Sequence, residues 1–116
     1  MMLFKLTGSC VSKARPRFYN NRVMLPKKYR DWKDGAIHEL YMQRINFDES
    51  VKTSEVHMIF LGKHNRKCDL DNQFAGVIDC LVDVGFLKND NMSTITKISA
   101  ELKHSTDSPY TLIQLS

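Results

Sequence analysis

The sequence contains no apolar run approaching the roughly 20 residues that a membrane-spanning helix needs. Its first seven residues are too short for the apolar region of a signal peptide. The cysteines, Cys10, Cys68 and Cys80, are odd in number and lack Cys-x-x-Cys spacing, which argues against a disulfide framework and against zinc held by Cys68 and His64. No repeat or linker divides the 116 residues. We therefore expect a single cytoplasmic domain over residues 1–116, with reduced thiols.

Charge is distributed unevenly along the chain. Up to Cys68 there are 14 Lys and Arg against 6 Asp and Glu, whereas from Asp69 onward there are 3 against 7. Basic surface attracts a phosphate backbone, while a compact acidic cluster repels it unless cations are bound there. The pattern indicates a nucleic-acid partner and a cation site; ordinary segregation of surface charge is the alternative.

Residues 63–72 bring both kinds of charge together, since Lys63, Arg66 and Lys67 directly precede Asp69 and Asp71. A further carboxylate, Asp90, follows the next helical segment, where the periodicity breaks and the chain can turn back. Carboxylate oxygens suit a hard cation such as Mg²⁺. The arrangement predicts a metal-dependent nuclease, and capping of the following helix by Asp71 is the structural alternative.

A second basic segment spans residues 13–22 and contains Pro16 and an Asn-Asn pair, which together predict an irregular loop. Such a loop can follow a phosphodiester backbone while Phe18 or Tyr19 stacks on an unpaired base. Alternatively, these rings pack on the edge of the domain. The cations of this segment that we expect to bind DNA are Lys13, Arg15 and Arg17.

Hydrophobic periodicity predicts a strand over residues 2–6, a helix over 27–45, a strand over 51–61, a helix from Asp71 to about Gly85, and strands over 93–103 and 110–115. The last two strands are expected to form a hairpin. This order predicts an α/β (α+β) domain, a mixed β-sheet with two main helices packed against it.

One part of the sequence resembles a known family. Residues 66–72 read Arg-Lys-Cys-Asp-Leu-Asp-Asn and continue through a helical segment to Asp90, which is similar to the core signature of the RusA family of Holliday junction resolvases. Residues 13–18 are similar to the basic Arg-Pro-Arg loop of many members. Together these segments cover most of the chain.

The resemblance implies a small homodimeric endonuclease that nicks four-way DNA junctions symmetrically in recombination and repair, in a bacterial or phage setting. It implies Mg²⁺, with Mn²⁺ as an alternative, and neither an organic cofactor nor a membrane partner. Asp69, Asp71 and Asp90 would be the catalytic, metal-binding carboxylates. The expected DNA-binding cations are Lys13, Arg15, Arg17, Lys63, Arg66 and Lys67.

Two positions depart from the family pattern. Ala75 stands where many relatives carry a lysine, so Arg66 or Lys67 would have to supply that positive charge. Asn89-Asp90 replaces a frequent Asp-Asp pair. Three other hypotheses stay open: a less selective nuclease for flaps or branched DNA, a junction-binding protein with weak catalysis, and a protein-binding domain whose acidic loop only caps a helix.

Overall fold

The computed structural model of the protein describes residues 1–11, 17–19, 22–49 and 52–116. A short 3-10 helix, Arg44–Asn46, follows the first helix. The strands and helices, in chain order, are β1 (Met2–Thr7), β2 (Arg17–Tyr19), β3 (Arg22–Met24), α1 (Lys27–Met42), β4 (Glu55–Leu61), α2 (Leu70–Val84), β5 (Lys97–Lys103) and β6 (Tyr110–Leu115).

Four strands form the main sheet in the order β1-β6-β4-β5. β5 runs parallel to β4, and β6 runs antiparallel to both of its neighbours. A parallel neighbour requires a crossover connection, and α2 provides it between β4 and β5. This arrangement confirms the predicted mixed sheet with two main helices. β2 and β3 form a separate two-stranded antiparallel pair.

The core lies between the helices and one face of the sheet. Alternate residues of the strands point into it because side chains of a strand alternate between faces, and Phe4, Met58 and Ile113 are almost completely buried. The two helices meet where the rings of Tyr29 and Trp32 lie about 3.6 Å from the position that a Cβ on Gly76 would occupy. Within the described chain, no helix is long and apolar enough to span a membrane.

The predicted hairpin of the last two strands is wrong, because β4 lies between β5 and β6. The six residues that join them cross the end of β4, where the Gly62 amide donates to Lys103 O and the Lys63 amide donates to Asp107 O. Adjacency in sequence misled the prediction, since the parallel partner of β5 is reached through α2.

Several predicted boundaries also change. Segment 13–22 is not wholly irregular, since β2 and β3 occupy its described ends. α1 ends at Met42 rather than at residue 45. β4 begins at Glu55, and Val51 lies outside the described residues.

β5 begins later than predicted, at Lys97 instead of residue 93, because Asn91 O accepts the amides of Thr94 and Ile95 in a turn. The end of α2 is as predicted, with Gly85 in the left-handed conformation (φ 93°) that favours glycine after a helix.

Candidate active site

Two carboxylates lie at the start of α2. Asp69 is the N-cap residue in extended conformation, and its carbonyl accepts the Gln73 amide at 3.0 Å. Its carboxylate makes no capping hydrogen bond. The prediction that Asp71 caps this helix is therefore wrong, because the N-cap residue is Asp69 and Asp71 lies in the first turn. It does accept one first-turn donor, since its Oδ1 accepts the Asn72 amide at 2.8 Å.

Asn72 links the two acids, a role that its place in the sequence does not indicate. Besides its backbone bond to Asp71, its Nδ2 donates to Asp69 Oδ2 at 3.4 Å. All three side chains are exposed. Asn72 thus holds the Asp69 carboxylate beside Asp71 while leaving oxygen lone pairs of both acids facing solvent.

An open concavity lies beside these acids. Asp69 and Asp71 border it together with Phe74 and Ala75 of α2, and its other side is residues 98–100 of β5. The concavity thus combines two carboxylates with an otherwise largely apolar wall.

Asp90 borders a neighbouring concavity, together with Asp79 of α2. The two concavities share Phe74, Ala75 and Ile98 as their common wall. Among the described residues, no three Asp, Glu, His or Cys side chains are close enough together to hold a metal ion. The structure thus brings Asp69 and Asp71 together and places Asp90 across Ala75 from them.

Three exposed cations, Lys63, Arg66 and Lys67, precede the acids on the loop between β4 and α2. Asn65 shapes this loop: its amide donates to Ser9 Oγ at 2.9 Å, and its Oδ1 accepts the Lys67 amide at 3.1 Å. Within the part of the chain that the structure describes, none of the three cations forms an ion pair. Their charge is available to a polyanion.

His64 anchors the same loop to the sheet. Only 4% of the residue is exposed, its Nδ1 lies 3.1 Å from the Cys10 amide, and its Nε2 lies 2.8 Å from Tyr110 O. Since an amide donates and a carbonyl accepts, Nδ1 is the acceptor and Nε2 carries the hydrogen. No pattern near His64 indicates this role, because both partners are remote along the chain.

Cys10 lies against this histidine, with its Sγ 3.1 Å from Nδ1. Burial, assisted by the nearby Cys68 thiol, raises the pKa of Cys10 to about 12. Nucleophilic attack and metal ligation require a thiolate, and Cys10 is a thiol at neutral pH. Carboxylates therefore dominate the available chemistry at this end of the sheet.

The remaining predicted DNA contacts lie on the N-terminal basic segment. Lys13 and Arg15 are outside the described residues. Arg17 begins β2, and only its backbone is described.

A comparison with protein families matches residues 7–116 to Endodeoxyribonuclease RusA. The chain belongs to the RusA family. The match covers nearly the whole sequence, including the loop of basic residues, both acids of α2 and Asp90, so the resemblance drawn from the sequence is confirmed. As a member of this family, the chain is an endodeoxyribonuclease. No curated protein matches it.

Proposed function

We propose that this RusA family member is a Mg²⁺-dependent endonuclease that resolves four-way DNA junctions by paired symmetric nicks, as a homodimer acting in recombination and repair. One observation carries the proposal. Asp69 and Asp71 are exposed beside the same concavity, directly after a loop whose three cations form no ion pair with any described residue. Helix capping does not account for the Asp69 carboxylate, which makes no capping bond.

The donor chemistry of this site fits Mg²⁺. The ion is commonly held by one or two carboxylates, with water and substrate phosphate as its other ligands. Asp69 and Asp71 can supply the carboxylates, and Asp90 offers a third from across Ala75. A bound ion would activate water and stabilise the departing oxygen of the phosphodiester.

The chain's own residues would divide the remaining work. Lys63, Arg66 and Lys67 attract the phosphate backbone, and the loop anchored by His64 delivers it toward α2. Asp69 and Asp71 repel a bare phosphate, which makes productive binding depend on the cation. Asn72 keeps the Asp69 carboxylate in place.

Ala75 favours a second candidate, a junction-binding protein with weak catalysis. Its methyl group lies in the wall between the two concavities. Unlike a lysine at this position, it cannot stabilise the negative charge that develops on the phosphate during cleavage. In the favoured proposal Arg66 or Lys67 supplies that charge. A nuclease that acts more broadly on flaps and branched DNA is the third candidate.

The test is cleavage of a labelled synthetic four-way junction beside a linear duplex of the same sequence, with Mg²⁺ and with EDTA. We expect paired nicks near the junction centre only, abolished by EDTA. Cuts in flaps as well would favour the broader nuclease, and tight junction binding without cuts would favour the binding protein. If the protein neither binds nor cleaves these substrates, every nucleic-acid candidate is contradicted.

The role of the basic loop has its own test. Lys67→Ala should weaken junction binding and lower the slope of log affinity against log salt by about 1, as expected for one lost phosphate contact. Lys52→Ala is a matched control, because this exposed lysine lies before the opposite end of β4. Full binding and cleavage by Lys67→Ala would exclude Lys67 from both roles.

A further inference from the structure

β5 is an edge strand whose outer side has no hydrogen-bond partner among the described residues. The Lys97 amide donates to Ser54 O at 3.3 Å, and Lys103 O accepts the Gly62 amide at 3.2 Å, so both residues face β4. Successive residues of a strand direct their amides and carbonyls to opposite sides. Ile98, Ala100 and Leu102 therefore direct theirs away from the sheet.

Apolar side chains accompany this open edge. Ile98 is 61% exposed and Leu102 is 41% exposed, and Leu70, which borders the same concavity as Ile98, is 40% exposed. Edge strands of monomeric proteins are usually protected by lysines, bulges, proline or a covering segment. β5 has lysines at its two ends, but within its seven residues it has neither proline nor a break in its ladder with β4.

We propose that a second copy of this chain pairs with β5, antiparallel and with the two-fold axis at Ser99. Ile98 of each copy then exchanges both backbone hydrogen bonds with Ala100 of the other. Lys97 lies opposite Glu101 of the other copy, and this pair of opposite charges occurs twice by symmetry. Within its own copy, Glu101 Oε1 lies 3.9 Å from Lys103 Nζ, and its side chain is 46% exposed, so it can also accept Lys97 of the other copy. Cross-strand pairs of opposite charge stabilise antiparallel strands.

Charge and available hydrogen bonds together select this register over its neighbours. Centring the pair on Ile98 would set Ala100 opposite Thr96, whose amide already donates to Ser54 O at 2.8 Å. Centring the pair on Ala100 would place Lys97 opposite Lys103, and centring it on Glu101 would place two glutamates together; like charges opposite one another destabilise a pair. Centring on Leu102 would match Glu101 with Lys103, but its outer hydrogen bonds would fall on His104, beyond the end of β5.

This pairing would join the two functional sites. A two-fold axis between antiparallel strands is perpendicular to the sheet, so both copies of α2 lie on the same side. Residues 98–100 form the interface and also border the concavity of Asp69 and Asp71. The inference deepens the homodimer of the proposed function and rests on it for its biological role, although assembly can be measured without cleavage.

The experiment is sedimentation velocity in EDTA over a range of micromolar concentrations and at low salt. We expect a dimer for the natural sequence. Lys97→Glu and Glu101→Lys should each weaken it at least about 10-fold, because two symmetric pairs change from attraction to repulsion. The double variant should restore the dimer. Lys28→Glu is the matched control and should not change it, because this exposed lysine belongs to α1 and not to the β5 edge.

A cross-link tests the position of the axis. Directly opposite residues without mutual hydrogen bonds lie about 4.5 Å apart between Cα atoms, within the range that a disulfide spans. Mild oxidation of Ser99→Cys should therefore produce a covalent dimer that the parent protein, with its own three cysteines, does not produce.

The outcomes separate the two proposals. A monomer at every concentration, or a dimer that charge reversal at residues 97 and 101 leaves intact, would overturn the β5 pairing. If Lys103→Glu disrupts the dimer while Lys97→Glu does not, the Ser99 register is wrong. A dimer of the natural sequence that fails to cleave junctions would keep the pairing and contradict the nuclease. Cleavage by a natural protein that stays monomeric would support the nuclease and contradict the pairing.

Discussion

The two edges of the main sheet are finished in different ways. Along β1, side chains at the end of α1 replace a neighbouring strand. Gln43, the residue directly after the helix, accepts the Lys5 amide through Oε1 at 2.8 Å and donates from Nε2 to Lys5 O at 2.6 Å. Glu39, one turn earlier, accepts the Thr7 amide at 2.9 Å. β5 has no such cover among the described residues. The edge that stays open is the one beside the acidic concavity.

Proline substitutions should break this comparison most strongly. The backbone amide and carbonyl of Ser99 point toward β4, as those of Lys97 and Lys103 do. Ser99→Pro would therefore remove a hydrogen bond within the sheet. We expect a loss of about 1–3 kcal/mol in the free energy of unfolding from the orphaned carbonyl of Val56 alone. Urea unfolding measures this loss.

Ala100→Pro is the paired variant. The Ala100 amide faces outward, so the proline costs the isolated chain no sheet hydrogen bond, but it would block pairing of two copies. We expect near-normal unfolding of the monomer and no dimer. If both prolines destabilise the chain equally, the outer side of β5 is hydrogen-bonded as its inner side is, and the comparison fails.

At the covered edge, Gln43→Ala should destabilise the chain by about 1–2 kcal/mol, because it removes two hydrogen bonds to Lys5. Gln43→Glu should cost less, since a carboxylate still accepts from the Lys5 amide although it cannot donate to the carbonyl. Thermal unfolding measures both. If both variants are as stable as the natural protein, the cover of β1 by Gln43 has no structural role.

The smallest effect is expected away from both edges, where Lys33 of α1 pairs with Asp83 of α2 at 2.9 Å. The hydrogen bond to Asp83 raises the pKa of Lys33, against a smaller opposing effect of burial. The stabilisation is therefore present below the usual lysine pKa and is lost as the pH rises through the higher folded-state value.

Lys33→Met should accordingly cost less than about 1 kcal/mol at neutral pH, as exposed ion pairs do. The difference in unfolding free energy from the natural protein should shrink at strongly alkaline pH. A difference that grows there would contradict the sign of this coupling. Dimer formation and cleavage should be unaffected.

Local features were the predictable part of this molecule. α2 followed from the spacing of its apolar residues and from Gly85, and Asp69 and Asp71 are neighbours in sequence. Non-local pairings were not predictable: the parallel partner of β5, the contacts of His64 with Cys10 and Tyr110, and the wall that Ile98 contributes to the site. No pattern within one segment encodes a contact that a crossover helix creates.

The central claim is that carboxylates at the start of α2, and not acids elsewhere on this helix, perform the chemistry. The direct measurement is single-turnover cleavage of a four-way junction by Asp71→Asn and by Asp83→Asn, with junction affinity measured alongside. We expect Asp71→Asn to lose more than the ~10–100-fold typical of an outer-shell partner of a metal. Its DNA affinity should be kept, while Asp83→Asn cleaves normally. Normal cleavage by Asp71→Asn, or equal losses in both variants, would contradict the account.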